Sequence, residues 1–270
     1  MRLPLPSMAC AALLASLVGC GSPSKPVERQ ATAPAVSVAP PTPPPGEPVP
    51  TPAEPANPWE GEVTPRPNGA GPLPITTRDP TLGPDGALVT VVVFSDFECP
   101  TCAFYADYLV EVRQADPSPT RLVHKHYPLH GHPNSRAAAE AATAVLAIAG
   151  PEPYWRYYHR LFAEQRSLSE ERYVAWAAEL GISADRFRAV RAWPVVPAKV
   201  SADRTLGEQL GVNGTPYVFA NCRALDDLEG VGQLIAEEHR FAVAALETGV
   251  APANIYEHRC QANLKVTPPR

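Results

Sequence analysis

A Cys-x-x-Cys motif stands directly behind a β-branched, apolar stretch of this chain. Residues 89–93 read Val-Thr-Val-Val-Val, the motif occupies 99–102, and a segment with helical character follows over 103–114. A continuous apolar run of this length is typical of a strand that is covered on both faces. We therefore predict a buried strand over 88–95 that leads into a helix, with the first cysteine at the N-terminus of that helix.

The place of the motif suits thiol chemistry. The unpaired N–H groups and the dipole at a helix N-terminus favour a thiolate at Cys99, and the thiolate is the nucleophile in disulfide exchange. Pro100 fits the first helical turn, where a missing N–H group is tolerated. We predict that Cys99 is the catalytic nucleophile, that Cys102 is a buried resolving thiol, and that Pro100 and Thr101 form the dipeptide between them.

The N-terminus has the pattern of an export signal. Arg2 precedes an apolar stretch from Met8 to Val18, which is too short to span a bilayer but suits the core of a signal peptide. Residues 17–20, Leu-Val-Gly-Cys, resemble a bacterial lipobox. This resemblance implies a lipoprotein signal over 1–19, lipidation at Cys20 and an outer-membrane anchor facing the periplasm. An ordinary signal peptide is the alternative.

Composition divides the remaining chain. Residues 20–75 are crowded with proline and poor in large apolar residues, which predicts a disordered, semi-stiff tether. Residues 76–270 have the length of one domain. The formal net charge is −5, so the chain lacks the excess of basic residues that is typical of a nucleic-acid-binding protein.

The predicted elements follow the order strand, helix, strand, a block of helices, strand, helix. After the first strand and helix we expect a strand over 121–127, helices from 134 or 135 to 150, 152–165, from 167 to 181, 183–191 and 197–210, a strand over 217–220 and a helix over 228–247. The aromatic run over 154–162 is expected to be core of the helical block, or else part of an apolar peptide groove. Asp96 and Glu98 are expected at solvated turn positions.

Four stretches, at 94–102, 126–129, 132–133 and 211–216, resemble the DsbA-like branch of the thioredoxin superfamily. The resemblance implies an α/β thioredoxin fold with a helical insertion at about 134–195, and a protein disulfide oxidoreductase that needs no cofactor. It implies that Pro216 is cis beside the disulfide, that Thr215 binds an extended substrate, and that the partners are thiol-containing clients and a redox protein. Thr101 replaces the histidine of the strongest oxidants, and Val93 replaces a buried carboxylate.

Two other functions are compatible with the sequence. His124, His126, His130 and His132 lie within nine residues, so that with the Cys-x-x-Cys they suggest a metal-binding or metal-delivery lipoprotein. The other is a module that binds folding clients without turnover. A zinc site built on the motif alone would need a second ligand pair, and the motif by itself is not assigned a metal.

Cys222 and Cys260 are the cysteines left over in the mature chain. In an oxidising compartment we predict that they form a second, structural disulfide. Two free thiols, or a redox relay from Cys222 to Cys102, are the alternatives.

Overall fold

The computed structural model of the protein describes residues 57, 59–115, 120–225 and 228–266. The predicted signal, Cys20 and the predicted tether up to residue 56 lie outside the described residues. None of the helices in the described ranges has both the length and the apolar composition that crossing a membrane requires. The strands are β1 (Thr81–Leu82), β2 (Val89–Ser95), β3 (Thr120–His126), β4 (Tyr217–Ala220) and β5 (Arg223–Ala224). The helices are α1 (Pro100–Ala115), α2 (Ser135–Ala149), α3 (Pro151–Ala163), α4 (Glu170–Glu179), α5 (Ala184–Arg191), α6 (Val195–Gln209), α7 (Val231–Glu247) and α8 (Ile255–Val266).

The strands form one mixed sheet in the order β1-β3-β2-β4-β5. Strands β2 and β3 are parallel, and the other neighbouring pairs are antiparallel. The register places Ser95 beside His126 on one side of β2 and Phe94 beside Tyr217 on the other. This arrangement confirms the predicted α/β class and the predicted order of the main elements.

Every residue of β2 is buried, which explains its unbroken apolar sequence. Val91 and Val93 pack into the larger core cluster, together with α1, the helical block and α7. Val92 and Phe94 point to the opposite face and pack into a second cluster with α8. Both faces of the strand are therefore covered, and β2 fixes the position of the loop that follows it.

Helices α2 to α6 lie between β3 and β4 in the sequence; α2 to α5 fall within the predicted insertion at about 134–195, and α6 continues beyond it. The aromatic side chains of α3 are core: Tyr154, Tyr157 and Tyr158 are almost fully buried. The Tyr157 hydroxyl donates to the Tyr173 carbonyl at 2.9 Å, which ties α3 to α4. The peptide-groove interpretation of this run is not supported by that burial.

Two serines begin helices in the block. Ser169 caps α4 by accepting from the Arg172 N–H, and Ser183 caps α5 in the same way. The predicted start of α4 at residue 167 is too early, because Ser167 lies in a separate 3₁₀ turn and α4 begins at Glu170.

The folded part begins earlier than predicted. Leu73 and Ile75 are fully buried, and Trp59 packs against the larger core cluster with the Arg78 guanidinium 5.9 Å from its ring. The boundary of the tether at residue 75 is therefore too late. A few apolar residues are enough to hold a proline-rich stretch against an existing core. The average composition of the stretch does not reveal these residues.

A buried guanidinium holds this early segment against the sheet. Arg121 of β3 is fully buried and donates to the carbonyl oxygens of Pro67 and Asn68. It also bonds the Thr90 hydroxyl at 3.1 Å and lies 5.8 Å from the Tyr256 ring of α8. One side chain thus links the early segment, two strands and the last helix.

Buried charges join α6 to the sheet. The Lys125 ammonium of β3 and the Lys199 ammonium of α6 each lie 2.8 Å from the Asp79 carboxylate. Although burial raises the pKa of Asp79, the two lysines hold it below its ordinary value. Lys199 also pairs with Asp203, whose carboxylate accepts from the His126 N–H at 3.1 Å.

Cys222 and Cys260 are joined in a disulfide, with a Cα–Cα distance of 4.7 Å. Both cysteines are buried in the second core cluster. The bond attaches α8, a helix that the sequence analysis did not predict, to the turn after β4. The Tyr256 hydroxyl of α8 donates to the Leu73 carbonyl at 2.6 Å, so this helix also covers the early segment.

Removing this bridge should destabilise the protein without touching the Cys-x-x-Cys. The double variant Cys222→Ala, Cys260→Ala is expected to lose about 2–4 kcal/mol of unfolding free energy, because the unfolded chain regains the freedom of a long loop. Urea unfolding followed by tryptophan fluorescence measures the loss. An unchanged unfolding midpoint, or alkylation of either residue in native non-reduced protein, would contradict a structural bridge.

Candidate active site

Cys99 and Cys102 lie where β2 passes into α1. The Ala103 N–H donates to the Cys99 carbonyl at 3.2 Å, so Cys99 directly precedes the helix and Cys102 lies in its first turn. Both side chains are free thiols, with exposed fractions of 6% for Cys99 and 2% for Cys102. Cys99, the predicted nucleophile, thus lies at the edge of the core, and Cys102, the predicted resolving thiol, lies deeper in it.

The two thiols differ strongly in acidity. The Cys102 thiol donates a hydrogen bond to Cys99, and this bond is the largest influence that lowers the pKa of Cys99 to about 5. Burial opposes the shift, while hydrogen bonds from the N–H groups of Cys102 and Thr101 add to it. Burial raises the pKa of Cys102, and the neighbouring Cys99 raises it further. The reduced pair therefore holds one thiolate, at Cys99, and one thiol, at Cys102, at neutral pH.

The loop before β4 faces the thiolate. The Thr215–Pro216 peptide bond is cis, and the Cys99 sulfur lies 3.4 Å from the Thr215 carbonyl oxygen. The site residues Thr215 and Pro216 are therefore beside Cys99, although 116 residues separate Thr215 from Cys99 in the sequence.

Asp96 is not solvated. Its side chain is buried and accepts from the N–H groups of Glu98 and Leu129 and from His132 Nδ1, at 2.7–2.9 Å. The expected solvated turn position is wrong for this residue, because the loop after β3 folds over it. Nothing in the local sequence signals that long-range contact.

Glu98 is half-buried and, like Asp96, accepts hydrogen bonds from the loop after β3. Its carboxylate accepts from the backbone N–H of Asn134 at 2.7 Å and from the Asn134 side chain at 3.1 Å. Two carboxylates thus attach the segment before Cys99 to the loop that precedes α2.

Gln165 holds the same segment from the side of the helical block. Its side-chain amide donates to the carbonyl oxygens of Phe97 and Cys99, both at 3.2 Å. Gln165 was not predicted from the sequence, because a single polar residue after a helix carries no signal that would identify it.

The histidines do not gather into a metal site. His124 is buried, and its ring nitrogens meet the Ser95 hydroxyl at 2.6 Å and the Tyr154 hydroxyl at 2.5 Å. Burial lowers the pKa of His124 to about 3, so the ring is neutral. His124 therefore faces the helical block and is fully engaged there.

The other three histidines have separate partners. His126 is buried and meets the Thr143 hydroxyl at 3.0 Å, His130 contacts Arg204, and His132 contacts Asp96. Among the described residues, no three histidine, cysteine, aspartate or glutamate side chains are arranged to hold a metal ion. The structure gives the metal-delivery alternative no support.

Comparisons with known proteins agree with this geometry. The family model of the DSBA-like thioredoxin domain matches residues 90–237. Disulfide bond formation protein D of Bacillus subtilis is 25% identical over 181 residues, which cover 61% of this chain and 79% of that protein. The crystal structure of oxidised BdbD from Bacillus subtilis superposes with a TM-score of 0.55 at 23% identity, over 60% of this chain and 94% of that chain.

A second set of relatives, the Na(+)/H(+) antiporters, matches this chain over only part of the antiporters' own length. The Na(+)/H(+) antiporter NhaA 3 of Salinispora tropica is 35% identical over 147 residues, or 54% of this chain. The chain spans only 22% of the length of that antiporter.

The acidity of Cys99 can be measured directly. Alkylation of the reduced native protein with iodoacetamide should follow a single titration with a midpoint near pH 5, since Cys99 is the reactive thiolate. Mass spectrometry should find Cys102 unmodified, and the Cys99→Ser variant should show no such titration. A midpoint at the ordinary thiol value of about 8.5 would contradict the thiol–thiolate hydrogen bond.

Proposed function

Because the chain belongs to the family of DSBA-like thioredoxin domains, we propose that it is a protein thiol:disulfide oxidoreductase that works through Cys99 and Cys102. The observation that carries this proposal is the unequal thiol pair at the start of α1, with the cis Thr215–Pro216 bond beside it. A low pKa makes Cys99 both a good nucleophile and a good leaving group, and each step of disulfide exchange needs one or the other.

Oxidation of a client proceeds from the form in which Cys99 and Cys102 are joined. A client thiolate attacks the Cys99 sulfur, the bond between the two cysteines breaks, and Cys102 leaves and takes up a proton because its pKa is high. The second client thiolate attacks the client sulfur of the mixed disulfide, and Cys99 leaves as the thiolate. The client has then lost two electrons to the protein pair, and a redox partner must restore the disulfide. The same steps in reverse reduce or isomerise a client disulfide.

Thr215 and Pro216 have a binding role in this proposal. The Thr215 carbonyl, 3.4 Å from the Cys99 sulfur, lies where the chain of a client held by Cys99 must pass. An extended client segment that bonds the Thr215 backbone is thereby aligned for attack at Cys99 rather than at the buried Cys102. Asp96, Glu98 and Gln165 act as positioning residues, since they fix the loop that carries Cys99.

We propose that the protein works outside the cytoplasm on a lipid anchor. The support comes from residues 1–20, with the apolar stretch and Cys20 of the lipobox pattern, and from the proline-rich residues behind it. The Cys222–Cys260 disulfide fits an oxidising compartment. Residues 20–56 then act as the tether between the membrane and a domain that begins near Trp59, and the helical insertion runs from about 134 to 195.

Substitution of each active-site cysteine should give a different result. Cys99→Ser should lower the oxidation of a reduced, unfolded model protein to the uncatalysed rate, because Cys102 alone cannot form the disulfide that accepts the client's electrons. Cys102→Ser, given a client that already contains disulfides, should instead accumulate mixed disulfides, because the Cys99 thiolate displaces one client sulfur and no second thiol then releases the client. Non-reducing gels detect these mixed disulfides. Cys222→Ala with Cys260→Ala is the control and should keep the catalysed rate. Undiminished activity of the Cys99 variant would exclude the proposed function.

Lipidation can be tested separately. Metabolic labelling with an acyl analogue should mark the wild-type chain and not the Cys20→Ala variant, and only the wild type should sediment with membranes. A Cys10→Ala variant is the matched control and should be labelled. An unlabelled wild-type protein recovered entirely in the soluble fraction would contradict the anchor.

A further inference from the structure

One face of α1 remains uncovered next to the active site. Phe104, Tyr105 and Tyr108 follow Thr101 at the three- and four-residue spacing that places side chains on one side of a helix. Phe104 is 74% exposed, more than any other large apolar side chain in the described ranges. An aromatic ring so exposed, within one turn of Cys102, indicates a contact surface rather than a packing element.

The aromatic side chains form a continuous wall. The ring centroids of Phe104 and Tyr105 are 5.1 Å apart, and those of Tyr105 and Tyr108 are 5.7 Å apart. The wall lines an open cavity of about 430 Å³, which Asp107, Glu111 and Glu229 also line. We call the five α1 residues of this lining the α1 strip: Phe104, Tyr105, Asp107, Tyr108 and Glu111.

The charge of the α1 strip is negative. The Asp107 side chain is 77% exposed and its carboxylate contacts His159 Nδ1 at 2.9 Å. In the part of the chain that the structure describes, neither Asp107 nor Glu111 pairs with a lysine or arginine side chain. A carboxylate beside an aromatic face attracts lysine and arginine, because the cation gains an ion pair and a cation–π contact while its aliphatic stem covers the ring.

The α1 strip is continuous with the reactive thiol. From Cys102 to Glu111 the helix rises by about 14 Å, a distance that four residues of extended chain cover at about 3.3 Å each. A polypeptide whose cysteine is bonded to Cys99 therefore has its nearest neighbours within reach of the α1 strip.

From this juxtaposition we infer that the α1 strip binds the residues that flank the reactive cysteine of a client, and that it selects clients with lysine or arginine within about four residues of that cysteine. The inference rests on the proposed function and names its substrate class. The aromatic wall supplies contact area for any flanking side chain, and Asp107 and Glu111 supply the preference for cations.

Two reduced dithiol peptides that differ only in flanking charge test this inference. One carries lysines on both sides of its cysteines and the other carries glutamates. With the oxidised full chain, kcat/KM should be about 3- to 10-fold higher for the lysine peptide at about 50 mM salt, and the ratio should approach one at about 500 mM.

Variants separate the α1 strip from the net charge of the protein. Asp107→Asn with Glu111→Gln should bring the ratio close to one. Glu171→Gln with Asp185→Asn, two exposed carboxylates of the helical block, is the matched control and should keep the ratio. Phe104→Ala should lower kcat/KM for both peptides, whereas Phe241→Ala, the other exposed phenylalanine of the described residues, should not.

The outcomes distinguish this inference from the proposed function. Equal, rapid oxidation of both peptides would overturn the inference and leave the oxidoreductase intact. Absence of exchange with either peptide would overturn both. A rate that falls as the protein is concentrated, together with a dimer in sedimentation, would assign the α1 strip to a second copy of this chain and would also overturn the inference.

Discussion

Strand β2 is hydrogen-bonded along both of its edges, to β3 on one side and to β4 on the other. Because β2 and β3 are parallel, their carboxyl ends meet at one edge of the sheet, and because β4 is antiparallel, its first residue lies at that same edge. The segment before Cys99, the loop after His126 and the cis Thr215–Pro216 bond are therefore brought together by pairing alone. Burial on both faces keeps β2 from shifting, since a slip of one residue would reverse the facing of every side chain.

The difference in acidity between the two active-site cysteines follows from how deeply each sulfur atom is buried. Cys99 precedes the first turn of α1, where N–H groups are available to a thiolate, and Cys102 lies one turn further into the core. Ionisation at Cys99 is stabilised by the proton that Cys102 retains, so each residue sets the acidity of the other. Val93 places no carboxylate beneath the buried thiol. Asp96 and Gln165 instead fix the loop that carries Cys99, through hydrogen bonds to the backbone of that loop and of the loop after β3.

The sequence was informative where a local pattern determines the structure. The apolar run of β2 and the cysteine spacing were sufficient to predict the strand, the helix and the place of the cysteine pair between them. The burial of Asp96, the contacts of Gln165 and the folding of Leu73 onto the sheet depend on partners distant in sequence, so no local pattern reports them. Strands β1 and β5 have two residues each, which is too short for an alternating pattern to appear. Helix α8 was missed because it is held by the disulfide and by Tyr256 rather than by a strongly amphipathic sequence.

The protonation state on which the chemistry of this site depends is one thiolate and one thiol in the reduced protein. The pH dependence of the reduction potential of the Cys99–Cys102 pair, equilibrated against glutathione between about pH 4 and pH 8, tests it directly. Above the pKa of Cys99, at about 5, reduction takes up two electrons and one proton, and below it two electrons and two protons. The potential should therefore fall by about 59 mV per pH unit below pH 5 and by about 30 mV per pH unit above it. An unbroken slope of about 59 mV per pH unit up to pH 8 would mean that both cysteines stay protonated, and would contradict the account.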